Sequence, residues 1–240
     1  MSVATLNLMN APRSAERNEL RAVNEVSRAY PHRRVTSLIL SRRFLLGAAL
    51  CGAASAAAAS AAPVLAERAD GELNPDLLQR ALGALEQHRE RIVQRDIIGI
   101  ADFSLPSRAP RFHLMRLADG AASVHLVAHG KGSDPAHTGW LEHFSNEPHS
   151  NATSAGAYLT GDRYVGVHGH SIRLEGLDPT NSNAAARAIV VHSAWYVSEQ
   201  MARSRAALGR SLGCFAVSGS SLEEVMQRLG PGRLIYADKA

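Results

Sequence analysis

Cysteine is scarce in this chain, and its placement restricts what the protein can be. The 240 residues include two cysteines, Cys51 and Cys214. Cys51 lies in an apolar segment that we expect to be removed, which would leave Cys214 alone. A disulfide within the mature chain is then excluded, although an oxidising compartment would permit one. A lone thiol exposed to oxidation is a liability, and this favours a reactive role for Cys214.

A long undiluted hydrophobic run is also missing, and the apolar segment present has the parts of a secretory signal peptide. Arginines at 42–43 are followed by an Ala-rich apolar run at 44–62 and a small-residue cleavage site at 64–66. Residues 41–46 also resemble the twin-arginine export motif. Alanine and glycine dilute the run and no basic cluster follows it, which argues against a membrane anchor. We expect residues 1–66 to be a leader and signal peptide, and the mature protein to be exported to the periplasm or cell wall without a stable membrane anchor.

An excess of positive charge is absent once this leader is set aside. The whole sequence has a net charge of +4 with neutral histidines. Eight of the 26 Lys and Arg residues and three of the 22 Asp and Glu residues precede residue 67, which leaves 18 basic and 19 acidic residues and a net charge of −1. The composition therefore gives no indication of nucleic-acid binding. The 174 residues that remain are enough for one domain with a hydrophobic core.

An amphipathic helix is predicted near the start of the mature chain. Residues 74–93 place leucines and other apolar residues at helical spacing, and Asn74 or Pro75 suits a helix start. We interpret residues 67–95 as a linker and N-terminal helix that packs on a catalytic domain of residues 96–240. A surface helix or a linker would show the same spacing.

Short strand-like segments dominate the rest of the chain. Residues 97–103, 111–117 and 123–127 predict an antiparallel meander, with a turn at 118–120. Further strands are predicted at 157–160, 164–167, 172–174, 188–192 and 232–237, and helices at 198–208 and 221–229. Residues 130–156 lack periodicity and are rich in Gly, Ser, Asn, Pro and His, which predicts a long loop. A loop of this length inside a compact domain is often functional.

Cys214 and His192 are the side chains best suited to covalent chemistry. His192 ends the apolar run 189–191, and Cys214 follows Gly213 in a short segment flanked by turn residues. A thiol attacks as the thiolate, so a nucleophilic cysteine needs a neighbouring base or positive charge that lowers its pKa. Gly213 would let the backbone approach a substrate carbonyl and form an oxyanion hole. These residue types alone also fit an inert cysteine buried beside a core histidine.

The wider pattern resembles the catalytic domain of the L,D-transpeptidase (YkuD-type) family. Gly209-Arg210-Ser211-Leu212-Gly213-Cys214 is similar to the branch whose motif is G-R-S-x-G-C. His192–Val197 is similar to the histidine strand of that branch. Further similar segments lie in matching order at 127–133, 144–146, 164–171 and 173–177. The resemblance thus extends from about residue 97 to 236.

This resemblance implies a fold and a reaction. The fold would be mainly β, a β-sandwich or mixed sheet with a few short helices, preceded by the N-terminal helix. Cys214 would attack the carbonyl of an L-centre–D-Ala bond in a peptidoglycan stem peptide, with His192 as its base, and form an acyl-thioenzyme. An amine of a neighbouring stem would complete a cross-link, whereas water would complete an L,D-carboxypeptidase reaction. The expected partner is the stem peptide, with no cofactor, metal or nucleic acid, and the expected state is a monomer.

The sequence departs from the better-known motif of the family on both sides of the cysteine. That motif has a histidine before Gly-Cys and an arginine shortly after it, where this chain has Leu212 and the run 215–217. The carboxylates of the donor peptide must then be bound by another residue. Arg210 is the candidate from sequence, although a solvated loop arginine would look the same. Ser211 is expected either to orient the loop or to bond the substrate. The group that holds His192 in its working tautomer is not identifiable, because a backbone carbonyl leaves no trace in the sequence.

Three other functions match parts of the pattern. His168 and His170 would share one face of a strand and could bind zinc in a hydrolase of wall peptides. No acidic residue has a typical ligand spacing, however, and Gly169 suggests a turn. An inactive wall-binding module would need neither His192 nor Cys214. A papain-like peptidase has its cysteine before its histidine in the sequence, and this chain has the reverse order.

Overall fold

The computed structural model describes residues 72–240, so the predicted leader lies outside the described residues. The elements in this part of the chain are α1 (Pro75–Gln87), β1 (Ile97–Asp102), β2 (Phe112–Arg116), β3 (Ala122–His125), β4 (Val127–Ala128), a 3-10 helix (Lys131–Ser133), β5 (Gly156–Gly166), β6 (Gly169–Gly176), β7 (Val190–Ser193), α2 (Glu199–Ser204), β8 (Phe215–Val217), α3 (Gly219–Arg228) and β9 (Leu234–Asp238). Within residues 72–240, none of the helices combines the length and the apolar character needed to cross a membrane.

All nine strands of this region form one mixed sheet, in the order β3-β2-β1-β9-β5-β6-β7-β8-β4. The predicted meander is confirmed, because β1 pairs antiparallel with β2 and β2 with β3. Parallel pairing joins β1 to β9 and β7 to β8. The two edge strands β3 and β4 are separated in the sequence by Leu126 alone, so the edges must meet and the sheet folds over on itself. The mainly β fold with few short helices is therefore confirmed.

The folded sheet encloses the main hydrophobic core. The side chains of β7 and β8 that enter this core show which side chains of the two strands point to the opposite, outer face. Val191 of β7 and Phe215 of β8 are both fully buried in this core. Phe215 forms an edge contact with the ring of Tyr158, with centroids 5.3 Å apart. Successive side chains of a strand point to opposite faces. His192 and Ala216, which are partners in the β7–β8 register, therefore lie on the outer face.

The N-terminal helix packs on the outer face of the other half of the sheet. Asn74 caps it by accepting a hydrogen bond from the Asp76 backbone at 2.8 Å. Leu77, Leu78 and other apolar side chains of α1 join a second core with residues of β1, β5 and β9. Burial of each such leucine contributes about 2 kcal/mol. The predicted packing on the domain is confirmed, but the helix ends at Gln87, earlier than the pattern predicted.

Three other elements differ from their sequence predictions. The two short strands predicted at 157–160 and 164–167 are one strand, β5, with an irregular register between Thr160 and Arg163. The strand β8 was missed because its three residues are flanked by turn residues, and it forms only by pairing with β7 and β4. Helix α2 ends at Ser204, since Leu208 is buried elsewhere and its N–H bonds to Ser107 Oγ at 3.1 Å. The long loop at 130–156 is confirmed, with one 3-10 turn.

Candidate active site

Cys214 lies at the end of the loop that leads into β8. The side chain is 9% exposed and forms no disulfide. Its thiol donates a hydrogen bond to the carbonyl oxygen of Ala188, with Sγ 3.6 Å from the acceptor. The cysteine is thus held against the segment that precedes β7, the strand that carries His192.

His192 is oriented by the main chain. Its Nδ1 lies 2.8 Å from the carbonyl oxygen of Ser193. A carbonyl can only accept, so Nδ1 carries the proton and donates it to Ser193. The other ring nitrogen, Nε2, is left as the basic atom of the neutral ring. The group that sets the tautomer, which the sequence could not reveal, is therefore the Ser193 carbonyl.

The β7–β8 register brings His192 and Cys214 to the same face of the sheet. His192 is the partner of Ala216 in the parallel pairing, and Cys214 precedes Ala216 by two residues, so both side chains are on the outer face. Their side chains are not hydrogen-bonded to each other in this structure, since the thiol bonds to Ala188. In the β7–β8 register, Cys214 lies one position before the paired residues Val191 and Phe215, on the strand beside His192.

The resting thiol and imidazole are both neutral. Burial raises the pKa of the Cys214 thiol, against the opposing effects of a backbone hydrogen bond from Val190 and the charge of Arg187. Burial lowers the pKa of His192, and the nearby His168 adds to this effect. The depressed thiol pKa that the sequence suggested is therefore not a property of the resting state. At rest the proton is therefore on the thiol, and Nε2 of the neutral imidazole is able to accept one.

Ser211 and Gly213 shape the loop that presents the cysteine. Ser211 Oγ donates to the Cys214 carbonyl at 2.7 Å and accepts from the Gly213 N–H at 3.1 Å. Gly213 has φ +116°, and a Cβ there would lie 2.7 Å from the Ala152 carbonyl oxygen. A larger residue at 213 would therefore be strained and would clash. Ser211 orients the loop from within, and Gly213 is required by the protein's own packing.

The predicted carboxylate-binding residue, Arg210, is engaged with main-chain carbonyls. Its Nη1 donates to the carbonyl oxygens of Asp134 and Pro135. These bonds tie the start of the Cys214 loop to the long loop 130–156. The guanidinium is thus used to dock the Cys214 loop on the long loop.

A different arginine, Arg187, is the cation beside the thiol. It is half-buried, and its charge acts on Cys214. Its Nη2 lies 3.1 Å from the position that a Cβ on Gly213 would occupy. Sequence reasoning missed Arg187 because it precedes the histidine strand, 27 residues before the cysteine. No motif links the two positions.

A buried polar network supports the other side of the Cys214 loop. Arg111 is fully buried and donates to the carbonyl oxygens of Leu105 at 2.7 Å and Val127 at 2.9 Å. It also bonds to His129 Nδ1 at 2.9 Å, and His129 Nε2 lies 3.2 Å from Asp134 Oδ2. Arg111 can only donate, so the proton of His129 is on Nε2 and is donated to Asp134.

This network fixes the neighbouring loop through main-chain bonds. The backbone of Ser211 donates to the His129 carbonyl at 2.9 Å and accepts from the Lys131 N–H at 2.8 Å. Burial, reinforced by the charge of Arg111, lowers the pKa of His129 to about 4. Although burial opposes charge on Asp134, hydrogen bonds from Thr138, Gly139 and His129 hold its pKa below the ordinary value. The network is therefore a neutral histidine between an arginine and a carboxylate.

The histidines considered for zinc lie at a hairpin turn. His168 precedes Gly169, which has φ +75° at the start of β6, and the predicted turn is confirmed. The ring of His168 stacks on His192, with centroids 4.3 Å apart and 20° between the planes. Among residues 72–240, no three His, Cys, Asp or Glu side chains converge in a way that could hold a metal ion. The ring of His168 thus covers one face of the His192 ring.

Comparison with known proteins identifies the family of this arrangement. Residues 69–237 match the family model described as the L,D-transpeptidase catalytic domain. Among curated proteins, no sequence matches this chain.

Several solved structures are similar at low identity. An L,D-transpeptidase from Mycobacterium tuberculosis has 15% identity and a TM-score of 0.39, over 60% of this chain and 58% of that one. An L,D-transpeptidase from Mycobacterium smegmatis has 15% identity and a TM-score of 0.37, over 60% of this chain and 58% of that one. The chain thus spans less than two thirds of either structure. At these scores the similarity adds no argument to the family match.

Proposed function

The chain belongs to the L,D-transpeptidase catalytic domain family, and from this premise we propose that it transfers acyl groups of peptidoglycan stem peptides through Cys214. The reaction would join two stems by way of an acyl-thioenzyme. The observation that carries the proposal is the arrangement of the two side chains. His192 is held by the Ser193 carbonyl with Nε2 free of a proton, on the face of the sheet that also carries Cys214.

In the first step, the thiol of Cys214 attacks the carbonyl carbon of the donor peptide. His192 Nε2 takes the thiol proton as the S–C bond forms, and the carbonyl electrons move to oxygen. The positive charge of Arg187 favours the sulfur anion as it develops. The C–N bond then breaks, and the imidazolium returns the proton to the leaving amine. A D-residue departs and a thioester remains.

In the second step, an amine from a neighbouring stem attacks the thioester. His192 is neutral again because it has given its proton to the leaving amine, so it can take a proton from the attacking amine. The C–S bond breaks, the imidazolium returns this proton to the sulfur, the thiol is regenerated and a cross-link is complete. Water in place of the amine gives an L,D-carboxypeptidase, and the active-site residues serve both outcomes.

Intact-mass analysis with a purified tetrapeptide stem tests the proposal. We expect an adduct on the mature protein equal to the stem without its terminal residue, and a free terminal residue in solution. Addition of a second stem with a free amine should give a cross-linked dimer, whereas a tripeptide product alone would indicate the carboxypeptidase. An adduct that still forms on Cys214→Ala would place the chemistry elsewhere and overturn the proposal.

Export is a separate proposal that rests on residues 41–66, ahead of the described region. We propose that residues 1–66 are removed, leaving a short linker and helix to residue 95 and a catalytic domain at 96–240. Replacement of Arg42 and Arg43 by lysine should trap the precursor if the twin-arginine route is used. Export of that variant at the normal rate would indicate the general secretory route. A wild-type protein of precursor length that stays in the cytoplasm would overturn the proposal.

A further inference from the structure

A surface cleft of about 340 Å³ opens beside the nucleophile. We call it the Arg187 cleft; it is lined by Pro148, His149, Asn151, Ala186, Arg187, Ala188 and Leu212. Two of these residues place it against Cys214. The carbonyl of Ala188 accepts the thiol hydrogen bond, and Leu212 precedes Gly213 in the Cys214 loop. A molecule in the cleft would therefore contact the two segments that flank Cys214.

The guanidinium of Arg187 has N–H groups that form no hydrogen bond within residues 72–240. Its Nη1 bonds to the Ser145 carbonyl at 2.8 Å and to Ser154 Oγ at 2.7 Å, and its Nη2 bonds to the Ala152 carbonyl. Arginine carries five N–H groups, so the Nε group and one Nη2 group remain without a partner within residues 72–240. The three bonds fix the position of the guanidinium, and the remaining N–H groups are available to a ligand.

The charge of Arg187 is also unbalanced. No Asp or Glu of the described residues forms an ion pair with it, and the ionisable groups that face it are Tyr158 and Cys214. Both are neutral in the resting state, because burial raises the pKa of Cys214 and raises the pKa of Tyr158. A half-buried cation without a counter-charge is suited to bind an anion, and guanidinium matches a carboxylate through paired hydrogen bonds.

Backbone strain is concentrated around the same cleft. Within residues 72–240, four non-glycine residues have positive φ, and three of them line the Arg187 cleft: His149 at 62°, Asn151 at 54° and Ala188 at 53°. Such conformations cost about 1–3 kcal/mol each and persist where the surrounding structure enforces them, typically at functional sites. The cleft wall is therefore held in an unfavourable shape by its contacts, Arg187 among them.

We propose that the Arg187 cleft binds a carboxylate of the donor peptide, and that Arg187 receives it through its remaining N–H groups. The ligand class is a peptide with a carboxylate next to the scissile bond, and its capture would place the scissile carbonyl at Cys214. Two carboxylates meet this description: the C-terminal group of the leaving residue, and a side-chain carboxylate of the acyl residue. The inference rests on the proposed function, because it assigns a subsite of that reaction.

The test measures the rate of adduct formation on Cys214 at several donor concentrations. Three donors are compared: a tetrapeptide stem with both carboxylates, the same stem with a C-terminal amide, and the same stem with a side-chain amide at its third residue. Loss of a charge-assisted pair should lower the second-order acylation rate by about 10- to 100-fold for one of the two amides. The amide that reacts slowly identifies which carboxylate the cleft binds.

Variants of the protein test whether Arg187 is the residue that distinguishes the acid donor from the amide donor. In Arg187→Gln, the affected amide and its parent acid should be acylated at rates within about 2-fold of each other, because the charged partner is gone. Arg187→Lys should restore part of the discrimination. Arg205→Gln removes an exposed arginine at the end of α2 and should discriminate as the wild type does.

Two outcomes would overturn the inference while leaving the proposed function intact. One outcome is that the wild-type protein forms adducts equally fast from all three donors. This measurement does not depend on whether any variant folds. The other is an Arg187→Gln protein, folded by circular dichroism, that still discriminates between acid and amide as the wild type does. No adduct from any donor, with a Cys214 that still reacts with a small alkylating agent, would instead overturn the proposed function and the inference with it.

Discussion

Two groups of residues lie against the loop that presents Cys214, and they are built differently. We call the side formed by Arg111, His129 and Asp134 the inner side of this loop, and the side formed by Arg187 and Ala188 the outer side. On the inner side, His129 and Asp134 are buried, and His129 is hydrogen-bonded to both Asp134 and Arg111. On the outer side, the thiol of Cys214 has a single weak acceptor in Ala188, and Arg187 keeps donors to spare. The inner side uses its polar groups to hold the fold, and the outer side leaves its polar groups available for a substrate.

The two arginines that flank this loop show the same contrast. Arg210, the second residue of the Gly209–Cys214 motif, donates to carbonyls of the long loop. Arg187, distant in sequence, is the one whose charge reaches Cys214. The sequence suggested Arg210 as the residue that binds the donor carboxylates, and that role remains a prediction. Substitutions on each side can test this division.

The largest effect is expected from the outer side, on chemistry alone. His192→Ala should lower the rate of adduct formation by about a thousandfold or more, because the thiol loses its base. Cys214→Ser should also be nearly inactive, since a hydroxyl is far less acidic than a thiol. Cys214→Ser should unfold within about 1 kcal/mol of the wild type in urea, whereas His192→Ala removes a buried ring, so circular dichroism must show that it is folded. The double variant Cys214→Ser/His192→Ala should be little worse than either single one. Additive losses would show that the two residues do not act together.

The next effect is expected from the inner side, on stability and its pH dependence. His129 has a pKa of about 4 in the fold against about 6.5 when unfolded. Between these values the unfolded chain takes up a proton that the folded chain does not. The free energy of unfolding should therefore fall as the pH falls from 6.5 towards 4, by roughly 3 kcal/mol.

Urea unfolding at a series of pH values measures this contribution. His129→Gln should be less stable at pH 7, because the hydrogen bonds of the imidazole to Arg111 and Asp134 are lost. It should also lose less stability on acidification than the wild type. His143→Gln, which removes an exposed histidine, is the matched control and should keep the wild-type pH dependence. An equal slope in all three proteins would mean that His129 does not titrate as its burial requires.

A smaller effect is expected from Arg210, which distinguishes it from Arg187. Arg210→Gln removes bonds to the Asp134 and Pro135 carbonyls and should cost about 1–2 kcal/mol of stability. The ratio of acylation rates for acid and amide donors should remain that of the wild type. A lost preference for the acid donor in Arg210→Gln would return the carboxylate site to the position that the sequence suggested.

The smallest effect concerns the ring that covers His192. Burial lowers the pKa of His192, and the charge of His168 adds to this. In His168→Ala the ring of His192 is uncovered and the charge is gone, and both changes raise the pKa of His192. Since the base must be neutral, activity falls as the pH falls through this pKa, and the acid limb of the acylation rate should move to higher pH. His168→Phe keeps a stacked ring without a charge and should move the limb less. An unmoved limb in both variants would mean that another group sets it.

Part of this protein could be predicted from its sequence because the signals are local. The β-rich pattern, the meander of β1 to β3, the N-terminal helix and the long loop are confirmed, since each depends on periodicity or on turn residues within its own segment. The family was also identifiable, because motifs such as Ser211-x-Gly213-Cys214 are short and contiguous. Cys214 and His192 as nucleophile and base remain a proposal that the fold supports.

What only the tertiary structure decided are relations between segments distant in sequence. His192 is oriented by the Ser193 carbonyl. Every residue has a backbone carbonyl whatever its side chain, so the sequence does not reveal this contact. Arg187 reaches Cys214 across 27 positions because the β7–β8 pairing and the long loop bring it there. The raised pKa of the thiol follows from burial, which no single segment produces. Residue types thus determined which chemistry this chain can perform, and packing decided which residues face the thiol and in which protonation state it rests.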